Sequence, residues 1–270
     1  MRSDVDDPIE PSGRQDATRT LDFTGKVVLV TGGARGVGRG IVECFAGRGA
    51  TVVACGRTEP VPGSLGDVGF LTCDVREPDQ VTTLVDAVIE RHGRLDVVVN
   101  NAGGSPPADS GDASARFSEA IVRLNLLAPL YVAQAANRVM QSQPGGGSIV
   151  NITSLSGLRP SPQTAAYGAA KAGLINLTQT LAVEWAPKVR VNSVCGGLIR
   201  TEQAGLWYGD EDGIARVAAT IPMGRMGLPA DVGEACAFLA SELASFVSGA
   251  NLVVHGGGEA PAFLEAAHPR

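Results

Sequence analysis

"KVVLVTGGARGVGRGIVECFAGRG", residues 26–49, opens with a short continuous apolar run, passes through a glycine-dense turn, and continues with Val37, Ile41 and Phe45 at helical spacing. An unbroken apolar run of this length fits a strand buried on both faces, and the spacing after it fits one side of a helix. The pattern predicts strand, tight turn and helix in direct succession. It recurs. "TVVACG" (51–56) and "GFLTCDV" (69–75) read as strands, and "EPDQVTTLVDAVIERHG" (77–93) as a helix with Val81, Leu84, Val85 and Val88 on one side. Next come the strand "DVVVNNAG" (96–103), a long helical stretch over 113–140, the strand "GSIVNITS" (147–154) and the helix "AAYGAAKAGLINLTQTLAVEWA" (165–186). "VRVNSV" (189–194) and "NLVVHGG" (251–257) complete the series.

Strands alternating with helices of this length need crossover connections, hence parallel pairing with helices on both faces. The expectation is a single-domain α/β fold of the Rossmann type, doubly wound, with a mostly parallel sheet of about seven strands. Residues 1–20, rich in Asp, Arg, Pro and Ser without a hydrophobic period, read as a mobile tail, leaving 21–270 as one domain. The stretch 200–227 mixes aromatic, acidic and glycine residues after the sixth strand. In an open sheet ligands bind beyond the carboxyl ends of strands, so this irregular insertion is expected to act as a lid.

Composition narrows the function. A chain of 270 residues, 44% hydrophobic and 19% charged, has room for one large core, and a net charge of -6 leaves no basic surplus for nucleic acid or anionic lipid. No run approaches the roughly 18 to 20 apolar residues of a membrane span, and the first residues lack the apolar centre of a secretory signal, so a cytoplasmic protein is expected. Five cysteines without a C-x-x-C pair fit neither a disulfide framework nor zinc, and three distant histidines give metal chemistry no support.

The turn "TGGARGVGRG" (31–40) joins the first strand to the first helix. Glycines let the backbone bend sharply and approach a ligand, while the free amides of the helix start, aided by its dipole, attract a pyrophosphate. A Walker A loop would end in Gly-Lys-Ser/Thr; here Gly38 is followed by Arg39, which argues against a P-loop ATPase. The spacing is not G-x-G-x-x-G either.

That turn occurs together with "NNAG" (100–103), Ser154 and Tyr167-x-x-x-Lys171. In this order and spacing the four motifs resemble the short-chain dehydrogenase/reductase family, its 3-oxoacyl reductase-like members in particular, over residues 26–258. The resemblance implies a nicotinamide dinucleotide held by Gly32, Arg35, Gly36, Val37 and Gly38, by Asn101, Ala102 and Gly103, by Asp74 and Val75 at the adenine ring, and by Tyr167 and Lys171. It implies a catalytic set of Asn125, Ser154, Tyr167 and Lys171, and a homodimer or tetramer. Ser156 is the neighbouring alternative to Ser154, Asn125 can equally be a capping or packing residue, and Asp74 a turn cap.

Residues i and i+4 share a helical face, so the Lys171 ammonium is expected beside the Tyr167 hydroxyl. An opposite charge about 4 Å away at an effective dielectric of about 20 contributes roughly 4 kcal/mol, enough to bring a phenol that titrates near 10 down to about 7. There it is most useful for proton transfer. Ser154, at a strand end, would hold the substrate oxygen and stabilise its developing charge.

In this fold an acid at the end of the second strand accepts from the ribose 2′-hydroxyl of NAD. Here that place is Gly56, followed by Arg57, and Arg35 stands in the phosphate turn. Two guanidiniums suit a 2′-phosphate, which favours NADP(H); Glu59, just beyond, keeps NAD(H) open. After the sixth strand the family has Pro-Gly, whereas this chain reads "CGGLIRT" (195–201), with Gly196 for the proline. The segment is expected to be more mobile, with Gly197, Ile199 and Thr201 still matching the positions that hold the nicotinamide carboxamide. Leu206, Trp207, Met223 and Met226 suggest an apolar pocket under the lid, with Ser154 and Trp207 as substrate contacts and 103–107 as the other wall.

The first hypothesis is thus an NADP(H)-dependent oxidoreductase acting on a small carbonyl or secondary alcohol. Two others stand beside it: a nucleotide-sensing module without turnover, and a dehydratase or epimerase on the same scaffold.

Overall fold

The computed structural model describes residues 21–259 and 267; the tail expected over 1–20 lies outside the described residues. The apolar runs form seven strands, β1 (Val27–Thr31), β2 (Thr51–Gly56), β3 (Gly69–Thr72), β4 (Val97–Asn100), β5 (Gly147–Ser154), β6 (Val189–Gly196) and β7 (Asn251–Val254). They lie in one sheet in the order β3-β2-β1-β4-β5-β6-β7. Every pairing is parallel, where a mostly parallel sheet was expected. β1 is wholly buried, which is what its unbroken Val-Val-Leu-Val run requires.

Helices cover both faces. On one, α1 (Gly36–Ala46) and α8 (Pro229–Ala240) bury Ile41, Phe45, Val232 and Leu239 against the valines of β1, β2 and β4. On the other, α2 (Pro78–His92), α4 (Ala128–Ser142) and α5 (Ala165–Glu184) bury Val81, Val88, Val132, Met140 and Leu181. α1, α2 and α4 are held by the apolar stripe their sequences show, so burial of that stripe, rather than helix propensity, fixes their place.

The helical stretch expected over 113–140 is not uniform. Ser114 caps α3 (Ala115–Val122) by accepting from the Phe117 N–H at 3.2 Å. A π-helical turn over Arg123–Leu127 then separates α3 from α4. The stretch expected to be an irregular lid is also more ordered than its composition suggests: it carries α6 (Ala204–Tyr208) and α7 (Glu211–Ala219), packed on a small core of Ala204, Ile214, Ile221 and Met226.

The strand order reverses at β1: β2 follows on one side, β4 on the other. The loops leaving β1 and β4 therefore diverge and open a crevice at the carboxyl ends of the strands.

Candidate active site

The floor of that crevice is the glycine turn. Gly36 has φ 55°, a left-handed value that a side chain disfavours, and a Cβ on Gly38 would collide with the Gly32 carbonyl oxygen. "NNAG" braces this turn from β4. Asn101 Nδ2 donates to the carbonyls of Thr31 (2.9 Å) and Gly32 (3.2 Å), and Thr31 Oγ1 accepts from the backbone N–H groups of Asn101 and Ala102, both at 3.0 Å. Arg35 is the residue before α1 and its side chain makes no capping bond. The helix start thus presents backbone donors to an anion, the arrangement a pyrophosphate requires.

A cavity of about 790 Å³ runs from this turn past β2 and β3 on one side and up to Tyr167 and Lys171 on the other. Gly32, Arg35, Gly36, Val37, Gly38, Arg57, Asp74, Val75, Asn101, Ala102, Gly103 and Thr201 line it. Arg35 and Arg57 are exposed, and among the described residues neither guanidinium makes a hydrogen bond or ion pair. Asp74 is committed to a turn instead. Its carboxylate takes the Arg76 guanidinium at 2.5 Å and the Arg76 backbone N–H at 3.1 Å, and these bonds hold its pKa below the usual carboxylate range. Glu59 also lines the cavity.

The catalytic candidates come from three elements. Ser154 ends β5, and its Oγ accepts from the Ser156 N–H at 3.2 Å. Tyr167 and Lys171 lie one turn apart on α5, with Lys171 Nζ 5.6 Å from the centre of the Tyr167 ring. Lys171 is buried, 3% exposed, and donates to the Ile152 carbonyl of β5 at 2.8 Å. Asn125, fully buried on the π-helical turn, donates from Nδ2 to the carbonyls of Gly104 (2.9 Å) and Ile121 (3.0 Å), and its Oδ1 accepts from the Gly104 N–H at 2.9 Å. A Cβ on Gly103 would stand 2.7 Å from Asn125 Oδ1 and 3.3 Å from Lys171 Nζ, so both side chains flank the same point of the β4 loop.

The electrostatics correct one expectation. Burial pushes the Tyr167 phenol above its ordinary value, while the Ser154 side chain pulls it the other way. Burial also lowers the Lys171 ammonium to about 8, with the nearby Cys195 opposing. On the phenol, burial outweighs the Ser154 hydrogen bond, while the Lys171 ammonium gives its own hydrogen bond to Ile152.

Beyond β6, Gly197 N–H donates to the Val254 carbonyl at 2.9 Å, and Ile199 forms a bridge with Gly227. These bonds pin the segment just after Gly196, which stands in the place of the proline. Gly197 and Ile199 do not line the cavity, nor do Asn125 and Ser154, which lie against its wall. Of the four residues expected to line an apolar pocket, Leu206, Trp207 and Met223 are exposed, and Met226 is buried with Ala204, Ile214 and Ile221. The structure leaves Trp207 outside the cavity because α6 turns its buried face, Ala204, inward. Two contributors were not read from the sequence. The Ile152 carbonyl is a backbone atom with no signature, and Glu202, two residues before α6, lines the cavity beside Thr201. Among the described residues no cluster of His, Cys, Asp or Glu could hold a metal, and no helix is long and apolar enough to cross a membrane.

Comparison with known proteins agrees with this geometry. A family model described as enoyl-(acyl carrier protein) reductase matches residues 32–259. The chain is 40% identical to L-fucose dehydrogenase of Bos taurus, covering 88% of this chain and 90% of that one. It is 37% identical to 3alpha-hydroxysteroid dehydrogenase of Mediterraneibacter gnavus, over 86% of this chain and 96% of that protein. Among solved structures, the ligand-free aldohexose dehydrogenase of Thermoplasma acidophilum superposes with a TM-score of 0.82 at 33% identity, covering 93% of this chain and 97% of that one. A doubly wound parallel sheet, a glycine turn at its switch point and this breadth of similarity make the chain a member of the short-chain dehydrogenase/reductase family, an oxidoreductase acting on alcohol groups with a nicotinamide dinucleotide.

Proposed function

We propose that the chain is an NADP(H)-dependent oxidoreductase that moves hydride between the cofactor and a carbonyl or secondary alcohol, with Tyr167 exchanging the proton. One observation carries this reading: Tyr167 and Lys171 line the same cavity that begins at the glycine turn. The bound nicotinamide would supply or accept the hydride. In the reducing direction Tyr167 gives its phenolic proton to the substrate oxygen, and in the oxidising direction it takes one. Ser154 beside it holds that oxygen in place and stabilises its negative charge. Lys171, still cationic at neutral pH with a pKa of about 8, favours the phenolate once the proton has left. Asn125 holds the β4 loop against the lysine through Gly104.

The exposed guanidiniums of Arg35 and Arg57, and a glycine where an acid would read the 2′-hydroxyl, favour NADP(H) over NAD(H). The relatives named above include sugar dehydrogenases and a hydroxysteroid dehydrogenase, so both substrate classes belong in the test. Sugars, hydroxysteroids and other alcohols and ketones are assayed near 340 nm with each cofactor on wild type and Tyr167→Phe. Turnover is expected with NADPH or NADP+, reduced at least roughly a hundredfold in Tyr167→Phe. Equal rates in the two proteins exclude Tyr167 as the proton-transfer group.

A further inference from the structure

Glu202 is 166 positions along the chain from Gly36, yet its Oε1 accepts the Gly36 backbone N–H at 2.9 Å. That N–H is the first of α1 and belongs to the donor set that faces the cavity. Thr201, the preceding residue, brings its methyl to 3.7 Å from the place of a Gly36 Cβ. The start of the lid therefore rests on the phosphate cradle itself. Its position is set by ties that do not involve Gly36. The Arg200 N–H donates to the Gly227 carbonyl at 2.8 Å, and the Arg200 guanidinium grips Glu211 of α7 at 2.8 and 2.9 Å. Glu202 itself is exposed, so it has no burial of its own to hold it there.

A carboxylate and a phosphate oxygen are the same kind of ligand to a helix start: anionic acceptors favoured by free N–H groups and the helix dipole. One N–H cannot serve both at good geometry. We infer that Glu202 is a built-in competitor of the dinucleotide pyrophosphate, occupying the Gly36 N–H until cofactor displaces it and lifts the start of the lid. The contact lowers cofactor affinity and couples the position of α6 to cofactor occupancy, because Glu202 stands two residues before that helix. A carboxylate left in place beside a diphosphate would also repel it. This inference rests on the cofactor reading above.

The test is a fluorescence titration of the full chain with NADPH, on wild type, Glu202→Gln and Glu202→Ala, repeated with inorganic pyrophosphate as a competing ligand. Removing an exposed, charge-assisted hydrogen bond that cofactor must break is expected to tighten NADPH binding roughly five- to twentyfold in Glu202→Ala. Glu202→Gln, which keeps a neutral acceptor, should fall between the other two, and pyrophosphate should follow the same order. Wild-type binding that neither variant improves overturns the inference while leaving the cofactor reading intact. Absence of dinucleotide binding in all three proteins overturns both.

Discussion

Lys171 Nζ donates to the Ile152 carbonyl oxygen at 2.8 Å, which ties the ammonium of α5 to the backbone of β5 two residues before Ser154. The same face of α5 carries Thr178, whose hydroxyl accepts from Asn151 Nδ2 at 2.9 Å. Two polar bonds to consecutive residues of one strand fix the helix against slipping along the sheet. These bonds thus fix where the ammonium stands relative to the end of β5.

The buried ammonium makes stability depend on pH in a defined direction. Its folded pKa, about 8, lies below its ordinary 10.5. Between these values the unfolded chain still holds the proton that the folded protein has lost, so raising the pH favours the folded state. Relative to Lys171→Met, which has nothing to titrate there, wild type should gain stability from pH 8 to 10.5, by up to about 3 kcal/mol. Urea denaturation of both proteins at several pH values checks this; a constant difference across the window is the contrary result.

Arg57 is expected to read the 2′-phosphate. Arg57→Ala should raise the KM for NADPH roughly tenfold while changing that for NADH little, since a charge-assisted bond to phosphate is lost and nothing on the rest of the dinucleotide changes. Equal weakening with both cofactors removes the argument for a phosphate contact.

Asn125 carries three hydrogen bonds from a fully buried side chain, two of them to Gly104. Asn125→Ala leaves those backbone groups unpaired, with an expected loss of about 2 to 3 kcal/mol in stability and a fall in kcat larger than the change in KM. Asn125→Asp keeps the acceptor for the Gly104 N–H but cannot donate to the two carbonyls, so it should not restore kcat. Hydrogen exchange at the Gly104 amide gives a local reading, and unaltered protection in Asn125→Ala would show that the side chain does not hold the loop.

Much of this was legible because the signals are local. β5 spans 147–154, residue for residue the run read as a strand, and α5 stops at Glu184 because Pro187 follows closely and restricts the backbone before it. The pairing of Tyr167 with Lys171 followed from helical geometry alone. The π-helical turn at Asn125 was hidden, since one widened turn leaves the apolar spacing nearly continuous. The lid was misread for a different reason. Glycines at 205, 209 and 213 dilute its period, although Asp210 caps α7 by accepting from the Gly213 N–H at 2.9 Å, a signal present in the sequence. The rise in the Tyr167 pKa was invisible because desolvation belongs to the assembled cleft, not to any stretch of residues.

The separate nucleus of Ala204, Ile214, Ile221 and Met226 divides the molecule's evolutionary freedoms. The outward residues of α6 and α7 can therefore be exchanged without touching the side chains packed on either face of the sheet.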